Sequence, residues 1–272
     1  MVKAVLTFVI ILFLCPSRAL GQTAGTVSGH YAKDGANIEF SHVVALGLDN
    51  AEGLLEPNVG MRLVLSDREV AVDALMGIAF TPVEDMAKRG EVRGVMVEFD
   101  PRDRTTMTVT VLDRPAEPGQ TLLRETLSDS TGLWRKLASD STRISGDYTR
   151  GNDQHLVFSF DAPIDTDPVV STVTGAAAQD SIFLKLLRLR TQALAKRDIA
   201  TLTRISSRGE AAKYATEPPP DTPEFRAFLA EQAKSLDLVL KIIVRGKTAI
   251  VLLPENSWQS FVKEDGDWKL AD

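Results

Sequence analysis

The sequence predicts an α+β protein in which two folded domains follow a short secretory signal. Segments that alternate apolar and polar residues dominate 25–163, whereas the last third of the chain places helical patterns before strand patterns. We expect a β-sandwich or barrel-like domain with short helices over 25–163 and a linker over 164–179. Over 180–272 we expect helices packed on a curved, cone-shaped antiparallel sheet.

The first 21 residues have the pattern of a secretory signal peptide. Lys3 precedes an apolar run, Ala4–Cys15, and the small residues Ala19 and Gly21 occupy the two positions that a signal peptidase recognises. The run is shorter than the roughly 20 residues that cross a bilayer. We therefore expect cleavage after Gly21, which leaves Gln22 as the N-terminus of a mature chain without a membrane span.

Two alternatives to this cleavage remain open. Ala24 offers a second exit for the peptidase, and Cys15 could instead carry a lipid anchor. A lipid-modified cysteine follows a small residue, but Leu14 precedes Cys15 and Pro16 follows it, which disfavours the anchor.

Composition excludes several classes of function for the mature chain. Cys15 is the only cysteine, so the mature chain has no disulfide, thiol nucleophile or thiolate metal site. Removal of Lys3 and Arg18 leaves 29 basic residues against 37 acidic ones, a net charge of −8. This charge disfavours nucleic acid and anionic membrane surfaces as partners.

The histidines predict no metal site and no cofactor. His30, His42 and His155 all lack the close His, Asp or Glu spacing of a zinc site on a helix. A site assembled from distant strands is the disfavoured alternative.

The first domain is predicted from its strand patterns. Met107, Val109 and Val111 alternate with threonines, which is typical of a half-buried strand, and Lys33-Asp34-Gly35 predicts a hairpin. The predicted strands are Thr26–Tyr31, Ala36–Leu46, Met61–Leu65, Val92–Phe99, Thr106–Leu112, Arg143–Tyr148 and His155–Phe160.

Short helices are predicted to interrupt these strands. Thr81 and Pro82 begin one helix, which Gly90 ends. Glu69–Met76 and Ser130–Ala138 have weaker helical patterns.

A change of composition at 163–179 separates the predicted domains. Pro, Thr, Ser, Asp, Gly and Ala follow one another there without periodicity, which indicates a linker.

The second domain is predicted to begin with helices. Asp180 or Ser181 caps the first, and Asp198 and Thr222 cap two more. In the third of these helices, Phe225, Phe228, Leu229 and Leu236 are expected to face inward. Strands are predicted at Leu238–Val244, Thr248–Leu253, Ser257–Lys263 and Trp268–Leu270.

This second domain resembles the nuclear transport factor 2-like superfamily, in its branch of small exported domains of unknown function. The segments that carry the resemblance are Ala193–Asp198, Val244–Ala249 and Gly266–Lys269. The resemblance implies a cone that can enclose an apolar pocket. Enzymes of this superfamily, such as isomerases and dehydratases, place acids, Tyr or His inside the cone.

The whole chain resembles a family of bacterial exported two-domain proteins. The matching segments are Gly29–Tyr31 with Asp34-Gly35, Leu63–Arg68, Ile144–Tyr148 and Phe158–Pro163. The resemblance implies a periplasmic or secreted bacterial protein, and it implies no activity.

These observations favour a non-catalytic binding or interaction protein of the bacterial cell envelope. General acid–base chemistry needs a positioned proton carrier, yet the second domain has no histidine, and Lys241 is the only ionisable residue in its first two predicted strands. The expected partner is an envelope protein or an apolar small molecule. A small-molecule-binding or isomerase- or dehydratase-like cone is the alternative.

If the cone holds a ligand, the pattern places Tyr214, Phe228, Arg245 and Trp258 near it. An internal cavity with one or two convergent polar groups would favour ligand binding. A filled cone with an exposed apolar patch would favour a protein partner.

Overall fold

The computed structural model describes residues 25–33, 35–49, 59–76, 81–117, 120–149, 155–255 and 257–271. The predicted signal peptide, its cleavage site at Gly21 and Gln22, and Asp34 of the predicted hairpin lie outside these residues. None of the helices in the described ranges is long and apolar enough to cross a membrane.

The strands in this part of the chain form two sheets. Those of the first sheet are β1 (Thr26–Lys33), β2 (Ala36–Glu39), β3 (His42–Gly47), β4 (Met61–Ser66), β5 (Gly94–Phe99), β6 (Thr106–Leu112), β7 (Arg124–Ser128), β8 (Trp134–Ser139), β9 (Arg143–Thr149) and β10 (Leu156–Thr166). Those of the second are β11 (Val169–Val173), β12 (Lys241–Arg245), β13 (Thr248–Leu252), β14 (Trp258–Glu264) and β15 (Asp267–Leu270).

The α-helices in the described residues are α1 (Pro82–Lys88), α2 (Gly175–Gln179), α3 (Ile182–Lys196), α4 (Ile199–Ile205), α5 (Arg208–Thr216) and α6 (Pro223–Ser235). Short 3₁₀ turns lie at Val72–Leu75 and Leu236–Leu238. With these helices and sheets the protein is α+β, as the sequence predicted.

The first sheet curls so that two parts of it face each other across a core. β10 joins the parts, because its first half pairs with β1 and β9 and its last residues pair with β3 in parallel. Strands β3 to β7 continue from there as an antiparallel meander. Met107, Val109 and Val111 are buried in the core between the two parts, which confirms the predicted alternation of β6.

The outer face of the β3–β7 meander is covered as well. Val64 of β4 and Met96 of β5 pack there against α1 and the 3₁₀ turn at Val72–Leu75. Because both faces are covered, every residue of β4 and β5 is buried. The predicted helix start is confirmed: Thr81 precedes α1, and its backbone N–H donates to the Glu84 carboxylate at 2.9 Å.

The five strands of the second sheet pair in the order β11-β12-β13-β14-β15, all antiparallel. One face of this sheet packs against α2 and α3, with Ile242, Val251 and Phe261 in contact with Phe183 and other helix residues. The opposite face carries Ile243, Ile250 and Leu252.

Three predicted elements differ from the structure. Ala36–Leu46 is not one strand, because the chain changes partners at Phe40 and Ser41: the Phe40 N–H donates to Gly29, and the Ser41 N–H donates to Ser66 on β4. The single predicted strand is therefore β2 followed by β3.

Ser130–Ala138 was predicted as a helix but contains β8. Trp134 and Leu137 both face the core although they are three residues apart. A register shift between Trp134 and Lys136 makes this possible, since a bulge adds one residue to a strand. Two core residues three positions apart are also the pattern of an amphipathic helix, which explains the helix prediction for this segment.

The predicted linker over 164–179 is regular structure. β10 extends to Thr166, β11 forms an edge of the second sheet, and α2 follows with Ala178 buried. Only Asp167 and Pro168 separate the last strand of the first sheet from the first strand of the second.

Candidate binding cleft between the two sheets

A cavity of about 860 Å³ lies between the two sheets. On one side it is bounded by the end of β3, a strand of the first sheet, and by α1, which covers the outer face of that sheet. On the other side it is bounded by α5 and by the face of the second sheet that points away from α2 and α3. We call this cavity the intersheet cleft.

Helix α1 forms one wall because it has two usable faces. Val83 and Ala87 are buried against the first sheet. Pro82, Asp85 and Arg89, which are three or four residues apart, line the cleft, and so does Met86, which also packs against the cluster on the first sheet.

Helix α5 forms the facing wall, and none of its residues is buried. Ser207 caps it by accepting a hydrogen bond from the Glu210 N–H, and the Glu264 carboxylate accepts from the Arg208 N–H at 3.2 Å. The residues of α5 and its end that line the cleft are Arg208, Gly209, Glu210, Lys213, Thr216 and Glu217.

The two walls approach each other closely at Gly209. A Cβ atom added at this glycine would lie 3.4 Å from the Asp85 Oδ2 atom of α1. A large side chain at 209 would therefore project into the narrow part of the cleft.

The second sheet supplies an apolar floor with some hydroxyl groups. Ile250 of β13 lies opposite Ser260 of β14, and Thr248 lies opposite Val262. Because neighbouring residues of a strand point to opposite faces, these four lie on the face of the sheet that points away from α2 and α3. Leu46, Leu48, Met76 and Met86 add apolar surface from the first sheet and its helices.

Asp167 fixes the connection between the sheets at the edge of the cleft. Its buried carboxylate accepts hydrogen bonds from the Lys247 N–H at 2.8 Å and from the Thr248 hydroxyl at 2.6 Å. Its carbonyl oxygen accepts one from Arg245 at 2.7 Å. The two-residue connection is thus bonded to the turn between β12 and β13.

Two ion pairs cross from the second sheet to the first. The Arg245 guanidinium, whose residue is 9% exposed, donates to both carboxylate oxygens of Asp49, one of them at 2.9 Å. Lys247 Nζ lies 2.6 Å from Asp73 Oδ1. These contacts hold the sheets together beside the cleft.

Several other charged groups of the cleft are also paired. Arg89 donates two hydrogen bonds to Glu91, which lower the pKa of Glu91 and raise the pKa of Arg89. A hydrogen bond to Asp265 raises the pKa of Arg208. These shifts keep all three groups charged near neutral pH.

The structure does not bring the four predicted ligand residues together. Arg245 lines the intersheet cleft. Tyr214 packs beside Leu202 and Leu229 on the helices, and Trp258 packs on the hydrophobic cluster of Ile243, Ile250 and Leu252. Phe228 is 53% exposed, so the prediction that it faces inward is wrong.

The helix-covered side of the second sheet, where the predicted cone pocket would lie, is filled by side chains. Phe183, Leu187, Val251 and Phe261 belong to one packed cluster there. The cavity found in this region has a volume of about 20 Å³, the space of one water molecule or so.

Sequence reasoning missed α5 and therefore one wall of the cleft. The helix has no apolar stripe, which was the signal used for the other helices. A capping pattern was present, because Ser207 is followed three residues later by Glu210. The Asp167-Pro168 pair likewise indicated a turn rather than a long linker.

In the described ranges, His, Cys, Asp and Glu side chains form no group of three or more that could hold a metal ion.

Comparisons with known proteins gave no match: no protein-family model, no curated protein and no solved structure matches the chain.

Proposed function

We propose that this chain is an exported, non-catalytic binding protein of the bacterial cell envelope that holds a small amphipathic molecule in the intersheet cleft. The observation that carries the proposal is the cleft itself. Its volume of about 860 Å³ falls within the roughly 300–1,000 Å³ of small-molecule sites, and an apolar floor is bordered by charged side chains.

The surroundings of the cleft favour binding over catalysis. The lining residues in the described part of the chain include no histidine. Glu91, Arg89 and Arg208 are held in their charged forms by ion pairs, whereas a general acid or base needs a pKa near the working pH. Side chains of this kind orient a ligand better than they move its protons.

The location of this function rests on the sequence. The positive start, short apolar run and small residues before Gln22 support export, and the resemblance to bacterial exported proteins supports the envelope. The nuclear transport factor 2-like identity of the second domain also stays a prediction, which its order of helices followed by an antiparallel sheet supports.

The test is a native mass spectrum of the protein purified from the envelope of a bacterial host. We expect a chain that begins at Gln22 and carries dissociable extra mass. Gly209→Trp should lose this mass, because the indole would occupy the narrow part of the cleft. Ala212→Trp is the matched control, since Ala212 is exposed on α5 and does not line the cleft.

Wild-type protein without bound mass would count against the proposal. Equal ligand on the wild type and on Gly209→Trp would place the ligand elsewhere. A chain that begins at Cys15 with the mass of a lipid would contradict the predicted cleavage.

A further inference from the structure

We infer that the ligand of the intersheet cleft carries a positive charge, as an organic amine or quaternary ammonium group joined to an apolar body. This inference rests on the proposed function and adds the chemical class of the ligand. Its basis is the balance of charged groups that line the cleft.

Carboxylates outnumber cations in the lining. The carboxylates are Asp49, Asp85, Glu91, Asp167, Glu210, Glu217 and Glu264, and the cations are Lys88, Arg89, Arg208, Lys213 and Arg245. Beside an apolar floor such an excess attracts a cation, because low-dielectric surroundings concentrate the field.

Every one of these cations already has a carboxylate beside it. Arg245 pairs with Asp49, Arg89 with Glu91, and Arg208 with Asp265. Lys213 pairs with Glu210, and Lys88 lies 3.6 Å from Asp85. An anionic ligand would have to compete with these carboxylates for the same donors.

The Glu217 carboxylate, in contrast, has no ion pair or hydrogen bond to a side chain in the described part of the chain. Glu264 differs from it, because Glu264 accepts hydrogen bonds from the Arg208 N–H at the start of α5 and, after Asp265, contributes to the raised pKa of the Arg208 guanidinium. Glu217 also ends α5, where the last carbonyl groups of a helix add partial negative charge. This end of α5 offers a place for a cationic head group.

The remaining lining suits the rest of such a ligand. Ile250 and Val262 on the second sheet and Met76 and Met86 on the other side form apolar surface within the same cavity. Methionine side chains are flexible and polarizable and adapt to varied apolar ligands. A cation joined to an alkyl or aromatic body would therefore contact the carboxylates and the floor at once.

The test compares three probes that share one tail: octyltrimethylammonium, octyl sulfate and octyl glucoside. Binding to the mature protein is measured by isothermal titration calorimetry below micelle concentrations. We expect the cationic probe to bind at least tenfold more tightly than the other two, and its affinity to fall as salt is raised.

Variants locate the charge that is responsible. Glu217→Gln should weaken the cationic probe by about fivefold, the size of one exposed charge contact, and leave octyl glucoside unchanged. Glu224→Gln is the matched control, because Glu224 is exposed on α6 outside the cleft. Circular dichroism of each variant shows that it is folded.

The outcomes separate this inference from the proposed function. If octyl sulfate or octyl glucoside binds as tightly as the cationic probe and Gly209→Trp abolishes that binding, the cleft binds ligands but the inferred charge is wrong. If none of the three probes binds, the proposed function itself is contradicted. Cation binding that Glu217→Gln leaves intact overturns the assignment to Glu217.

Discussion

At the scale of single residues, Arg245 makes the most consequential contacts of the cleft. It is nearly buried and bonds to Asp49 of the first sheet and to the carbonyl of Asp167 in the connection. If the pair is broken, water can solvate the Asp49 carboxylate, because this side chain is 53% exposed, but it cannot reach the guanidinium of Arg245 in the same way. A buried guanidinium that loses its carboxylate remains uncompensated, which destabilises the protein.

We therefore expect measurable coupling between Arg245 and Asp49. A double-mutant cycle with Arg245→Met and Asp49→Asn, followed by urea unfolding, should give a coupling free energy of about 1 kcal/mol or more. The same cycle on Arg143 and Asp161, a pair on the sheet surface, should give less than about 0.5 kcal/mol. Equal coupling in both pairs would show that the buried pair does not hold the sheets together.

The pattern of the sequence placed four residues near a ligand, and one of them, Arg245, lines the intersheet cleft. That Arg245 contacts a ligand stays a prediction. Sequence alone does not say which face of an element meets a cavity, so it could not separate Arg245 from Phe228 and Trp258. Phe228 is exposed beside the partly buried Phe225 and the buried Leu229.

At the scale of elements, α3 and α5 differ in how they are held. α3 buries Phe183, Leu184 and Leu187 in a packed cluster, whereas α5 buries no residue and is held by its caps, its end contacts and the partly buried Tyr214. Helices of this length are marginal in water without packing. Helix α5, which forms a wall of the cleft, is therefore less stable than α3.

Hydrogen exchange should show this difference. In the free protein, the amides of α5 should exchange at least tenfold faster than those of α3. A saturating cationic probe should slow exchange in α5 and leave α3 unchanged, since α5 lines the intersheet cleft and α3 does not. Slowing in α3 with no change in α5 would point to a ligand on the other side of the second sheet.

Elements whose apolar residues repeat at a regular spacing were predictable from the sequence, and elements without such a repeat were not. Thr106–Leu112 matches β6 residue for residue, and the caps at Thr81, Ser181, Asp198 and Thr222 mark real helix starts. β8 was mistaken for a helix because its bulge spaces two core residues by three. α5 was missed because a helix without buried residues leaves no apolar period in the sequence.

At the scale of the whole molecule, the short connection positions both walls of the cleft. Asp167 and Pro168 alone join β10 to β11, and Asp167 is bonded into the β12–β13 turn. The sequence could not reveal this arrangement, because the relative placement of two sheets depends on long-range contacts such as Arg245 with Asp49. The composition of 164–179 predicted a long linker, whereas only two residues connect the sheets in the structure.

Lengthening this connection should separate binding from folding. Four residues, Gly-Ser-Gly-Ser, inserted between Asp167 and Pro168 should weaken the cationic probe by tenfold or more, because the walls lose their fixed spacing. Both sheets should still unfold cooperatively when they are followed by circular dichroism. The same insertion at Ser141, in the exposed β8–β9 turn, should leave binding within twofold of the wild type.

The most direct test of ligand binding in the intersheet cleft is a crystal structure of the mature protein with octyltrimethylammonium bound. The account predicts density between α1 and α5, with the ammonium group beside Glu217 and the octyl chain over Ile250 and Val262. Density on the helix-covered side of the second sheet, near Phe183 and Leu187, would contradict it. So would an empty cleft in crystals grown at a saturating concentration of the probe.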